Sequence, residues 1–165
     1  MNRLLLVGIL ALCSSFSVLA SDDDKLDNIY KLFLSGQVNV EEVEKSYDEG
    51  IIHIGRKDKP LTIGKQDFLN INIKPLVAVI AGGKFTYAGK AYIVRRLVKQ
   101  DMANDVGYLY SMVTTPDGKK MEQVQKFSWV FVKKGQKWQV VTDFDLMQAP
   151  LTVLDDLKTE RIVTP

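Results

Sequence analysis

The chain has 165 residues, with 22 Lys+Arg against 20 Asp+Glu, one His and one Cys, for a formal charge of +2. That is one domain's worth of protein, and so even a balance excludes the basic footprint that nucleic acid or an anionic membrane requires. One Cys and one His exclude a Cys/His metal cage and an internal disulfide; no metal is expected, and no motif points to a cofactor.

Arg3 gives a short positive start, Leu4 to Leu12 is an apolar run broken only by Gly8, and Val18-Leu19-Ala20 matches what a signal peptidase reads. The pattern predicts a signal peptide over residues 1–20, cut between Ala20 and Ser21, and a periplasmic or secreted mature protein with no membrane attachment. Two alternatives are a retained anchor, since Leu4 to Ala20 just reaches the ~17 residues of a span, and lipoprotein processing at Cys13, which the bulky Leu12 disfavours. Cleavage removes Arg3 and Cys13, leaving 21 cations against 20 anions and no thiol.

In the mature chain, Ser21 to Asp24 is an acidic start suited to a helix N-terminus. Leu26, Ile29, Tyr30, Phe33 and Leu34 then recur at helical spacing up to Gly36. A second helix is predicted over about Asn39 to Tyr47, ended by Gly50. Ile51–Ile54 and Leu61–Ile63 read as a strand pair around a polar turn. A third helix spans about Gln66 to Ala81, with a kink or break expected at Pro75.

Four long strands follow, Lys84–Gln100, Asp105–Thr115, Lys120–Lys134 and Lys137–Met147, joined by short turns into an antiparallel meander. In the last strand, simple alternation groups Trp138, Val140, Thr142 and Phe144 on one face, and Gln139, Val141, Asp143 and Asp145 on the other. Apolar residues on both faces imply two covered faces, one under the helices and one against a second subunit. The domain is expected over 21–148, and 149–165 is a tail with a short helix at Val153 to Leu157.

Tyr47-Asp48-Glu49, Gly64-Lys65-Gln66-Asp67-Phe68 and Lys137-Trp138-Gln139-Val140-Val141, in this order and spacing, resemble the nuclear transport factor two-like superfamily. That superfamily includes ketosteroid isomerase, scytalone dehydratase and polyketide cyclases. The resemblance implies an α+β cone with N-terminal helices packed on a strongly curved antiparallel sheet, an apolar pocket, and homodimers through the outer sheet face. It places Tyr30 at the isomerase's first-helix Tyr, but puts Ile54 or Gly55 at its base and Phe127 near its late-strand acid. The dehydratase's histidine pair has only His53 to draw on. The cyclases' late-strand acid falls at Asp143 or Asp145.

The candidate catalytic residues are therefore Asp143, a carboxyl whose proton chemistry needs an apolar pocket, and His53, which alternation places on the same face as Ile51. Tyr30, Tyr47, Tyr110, Trp129 and Arg95 are expected to line the pocket, with Arg95 or Arg96 turned inward, either paired with Asp143 or free to anchor an acidic ligand. The expected function is binding of a small apolar or amphipathic molecule. An acid/base enzyme and a protein interaction module are the alternatives.

Overall fold

The computed structural model describes residues 20–55, 61–83 and 85–165. The expected signal segment up to residue 19 and the turn at 56–60 lie outside the described residues.

Helix α1 (Asp22–Leu34) begins where the Ser21 hydroxyl accepts from the Asp24 N–H at 3.1 Å and the Asp24 carboxylate accepts from the Ser21 N–H at 3.3 Å. This reciprocal box satisfies donors that the helix itself leaves open. Leu26, Ile29, Tyr30 and Leu34 are buried. Helix α2 (Val40–Ser46) stops one residue earlier than expected, because Tyr47 is already extended and opens strand β1 (Tyr47–Ile54). Gly50 thus lies inside a strand and ends no helix.

After β2 (Leu61–Ile63) come α3 (Lys65–Phe68), a π-helical turn (Leu69–Ile73) and α4 (Lys74–Ala81). The break expected at Pro75 takes the form of this π turn. Proline lacks the N–H for a regular bond and its ring crowds the carbonyl four residues back, and a wider preceding turn accommodates both.

The long strands are β3 (Thr86–Lys99), β4 (Met102–Thr114), β5 (Lys120–Lys134) and β6 (Lys137–Ala149). The tail departs from expectation. Its short helix is a 3-10 turn at Leu151–Leu154, and β7 (Arg161–Val163) returns to pair antiparallel with β3. The seven strands form one curved, unclosed sheet in the order β2-β1-β6-β5-β4-β3-β7, and only β1 and β6 run parallel.

Two bulges decide what faces the helices. In β3, Ile93 pairs with Gly107 and Arg95 with Val106, which leaves Val94 unpaired. In β6, Thr142 pairs with Val130 and Val140 with Phe131, which leaves Val141 unpaired. An extra residue shifts the side-chain phase by one. Arg96 therefore follows the buried Ile93 inward, and Asp143 follows Trp138 and Val140, where strict alternation had placed Thr142. The β3 bulge requires a glycine opposite, since a Cβ on Gly107 would stand 2.1 Å from the Tyr92 carbonyl oxygen.

The inward Arg96 is clamped. Its Nε and Nη2 donate to Asp105 at 2.9 and 2.7 Å, and Nη1 donates to Asp27 of α1 at 2.9 Å. Asp105 is fully buried and also accepts from the Tyr30 hydroxyl at 2.9 Å, while Asp27 accepts a second bond from Arg161 of β7. Burial opposes the Arg96 charge, but its bonds to Asp105 and Asp27 prevail and raise its pKa. These contacts fix α1 to the sheet from both β4 and the C-terminal strand. Arg96→Met, which leaves the fully buried Asp105 as an uncompensated charge, is expected to cost about 3–5 kcal/mol in urea unfolding. Arg95→Met on the other face should stay within about 0.5 kcal/mol, and equal effects would contradict the clamp.

Candidate functional site

One row of inward side chains crosses five strands. His53 of β1 is opposite Asp143 of β6, Asp143 is opposite Trp129 of β5, Trp129 is opposite Asp105 of β4, and Asp105 is opposite Arg96 of β3. Cross-strand partners share a face, so the row is continuous. Its Arg96 end is the clamp described above; its His53 end borders a cavity of about 180 Å³.

Aromatic and aliphatic side chains make up most of the cavity wall: Tyr30, Phe33 and Leu34 of α1, Tyr47 of β1, Phe68, Ile73 and Leu76 of the helical layer, and Tyr87, Leu109 and Trp129 of the sheet. The polar members are His53, Asn72, Gln125, Asp143 and Asp145. Asp143 is 5 % exposed. Its Oδ1 accepts from the Trp129 indole N–H at 2.7 Å, its Oδ2 accepts from the Tyr47 hydroxyl at 3.3 Å, and His53 Nδ1 lies 3.6 Å from Oδ2. The Trp129 ring is held in turn by Tyr30, stacked on it at 4.6 Å and 5°, and the His53 ring packs 5.2 Å from Phe68.

Burial, then the Asp143 carboxylate, pushes the Tyr47 phenol well above its usual range; burial, then Asp105, does the same for Tyr30. Both hydroxyls are therefore fixed as proton donors. Among the described residues, no group of three or more His, Cys, Asp or Glu side chains is placed to hold a metal ion.

Of the residues expected at the pocket, the structure brings Tyr30, Tyr47, His53, Trp129 and Asp143 to one cavity and leaves two outside. Arg95 is exposed, because the β3 bulge turns its neighbour Arg96 inward, and the partners of that inward arginine are Asp105 and Asp27 in place of Asp143. Tyr110 pairs with Val124, on the face opposite Leu109 and Gln125. Its hydroxyl donates to Glu122, which pushes its pKa up to about 12.

Asp105, Asn72 and Gln125 were not singled out by sequence reasoning. Asp105 carried a usable signal, since it is in phase with Ala103 and Gly107 across from an arginine pair. Asn72 carried one too, as an amide four residues after Phe68 on an otherwise apolar helix face.

No family model and no curated protein matches the chain. Solved structures do. An ntf2-like protein with a cystatin-like fold from Novosphingobium aromaticivorans matches with a TM-score of 0.60 at 15% identity, over 83% of this chain and 89% of that one. The fold is the nuclear transport factor two-like cone.

Other proteins matching this cone include a ketosteroid isomerase-like protein from Erwinia carotovora atroseptica, with a TM-score of 0.53 at 13% identity over 74% of this chain and 89% of that one. The S. rosetta CaMKII hub matches with a TM-score of 0.58 at 15% identity, over 80% and 100%. Such identities establish a shared cone and leave chemistry to be read from residues. At the positions that the isomerase resemblance singles out, Ile54 is exposed on the outer face and Phe127 is a fully buried core residue.

The two phenols supply a pH test. An unfolded tyrosine ionises near pH 10, whereas Tyr30 and Tyr47 resist ionisation in the fold. Their contribution to stability is thus complete below that pH and is lost as pH rises above it. Ultraviolet titration is expected to leave at least two of the six tyrosines un-ionised for as long as the chain is folded, and ionisation of all six before unfolding would contradict the packing.

Proposed function

We propose that the protein is an exported binding protein that holds one small, largely apolar molecule with a polar end in the cone cavity. The observation that carries this reading is Asp143, a carboxylate buried to 5 % exposure and held by Trp129 and Tyr47 at the wall of an aromatic cavity. Such a group is costly to bury, and it gives an otherwise apolar chamber one polar end. The cavity of about 180 Å³ exceeds slightly the ~150 Å³ that accommodates benzene and falls below the ~300 Å³ where drug-sized sites begin. The ligand is therefore of single-ring size. Asp143 and Asp145 both line the cavity, which disfavours an anionic ligand, and Arg95 lies outside it.

His53 favours a second reading, an acid/base enzyme. Its Nδ1 lies 3.6 Å from Asp143 Oδ2, a separation that substrate binding can shorten. Trp129 and Tyr47 engage Asp143 as an acceptor, which fits it to orient and balance His53 while His53 carries the proton.

Thermal-shift and isothermal titration with neutral monocyclic compounds are expected to find a ligand that adds about 2.7 kcal/mol of stability at a hundred-fold excess over Kd. Asp143→Asn should weaken a ligand with a polar end by about ten-fold. If no such compound binds at millimolar concentration, the binding reading falls. For the enzymatic reading, a bound carbon acid is expected to exchange hydrogen for deuterium in heavy water, and His53→Gln should abolish the exchange while binding persists. Exchange at an unchanged rate in that variant would exclude His53 as the base.

The proposed homodimer uses the outer sheet face, where Ile52 and Ile54 are 40 % and 45 % exposed. Light scattering is expected to give a dimer that Ile54→Glu converts to a monomer, and mass spectrometry of the exported protein should show Ser21 as its first residue. A monomeric wild-type chain, or an intact N-terminus after export, would overturn the respective proposal.

A further inference from the structure

Two amides in the cavity wall have no partner among the described residues. Asn72 Nδ2 and Oδ1 and Gln125 Nε2 are all buried without a hydrogen bond, and both residues line the same cavity as Asp143. Buried polar groups in folded proteins are almost always paired, and an unpaired one is costly. Here the unpaired groups come from opposite walls, Asn72 from the π turn and Gln125 from strand β5. The π turn brings the successive residues Asn72 and Ile73 to the cavity together with Phe68, and such turns recur at functional sites.

We infer that Asn72 and Gln125 select the ligand, and that it is a neutral monocycle presenting a hydrogen-bond acceptor next to a donor, as the edge of a cyclic amide does. The inference rests on the binding reading above. A carboxamide offers an N–H and a C=O side by side, and it pairs bidentately with an edge of the opposite order, the geometry by which asparagine reads adenine. The Gln125 N–H supplies a further donor for a ring carbonyl. Asp143 and Asp145 in the same cavity disfavour an anion, and the volume limits the ligand to one ring. The apolar walls hold the ring while the amides read its edge.

The test uses the purified chain with three probes: 2-pyridone, toluene as its apolar counterpart, and benzoate as an anion. By titration calorimetry, wild type is expected to bind 2-pyridone about ten-fold tighter than toluene and to reject benzoate. Asn72→Leu should lose about ten-fold in 2-pyridone affinity and keep toluene, and Asn72→Asp, of nearly equal size but without the amide donor, should lose 2-pyridone as well.

Without ligand, Asn72→Leu and Gln125→Leu should each melt about 3 °C higher than wild type, because each replaces an unpaired buried amide by an apolar group. A purely structural amide gives the opposite sign. A lowered melting temperature in Asn72→Leu with unchanged 2-pyridone affinity overturns the inference, as does benzoate binding tighter than 2-pyridone. Toluene binding without any preference for 2-pyridone overturns the inference and leaves the pocket reading standing. Binding of none of the three overturns both.

Discussion

The architecture depends on a positive charge buried on the inner face of the sheet. An arginine there is tolerable only with its hydrogen bonds answered by carboxylates, and Arg96 answers to Asp105 on the next strand and Asp27 on helix α1. Satisfying that one group requires the helix, the sheet and the C-terminal strand to be in place together, since Arg161 shares Asp27. Tyr30 links this clamp to the cavity. Its hydroxyl is committed to Asp105 and its ring lies flat on Trp129, which orients the indole N–H toward Asp143.

The cavity is thus the far end of a connected polar row, built on side chains that packing already holds. Trp129 and Tyr47 settle the position of Asp143, and the one parallel strand pairing in the sheet brings His53 beside it. Preorganisation of this kind reduces the ordering cost of binding. The two amides differ in character. Asn72 and Gln125 carry polar atoms that no described residue answers, so a fixed Asp143 shares the cavity with unused bonding capacity at the amides.

Much of the fold was legible in the sequence. Helical periodicity marked α1 down to Leu34, Pro75 marked a break that became a π turn, and the long β-branched and aromatic runs gave the four-stranded meander. Which of these residues would meet was harder to read, because two single-residue bulges control it. Strict alternation along β6 groups Thr142 with Val140, and the extra residue Val141 replaces it with Asp143. The same device in β3 chose Arg96 over Arg95. Bulges depend on pairing across strands and leave no periodic mark within one strand. Strand β7 escaped notice because three residues are too short for a pattern, and their pairing is set by the edge of β3.

The distances along the chain between these partners also shape how the molecule is made. Helix α1 precedes every strand, yet Tyr30 lies 75 residues from Asp105, and Asp27 lies 69 from Arg96 and 134 from Arg161. Contacts this remote carry a large loop-closure entropy before they return any stabilisation, and chains rich in them fold on the slow side, in milliseconds to seconds. The clamp on helix α1 is complete only when Arg161, 134 residues beyond Asp27, has joined it.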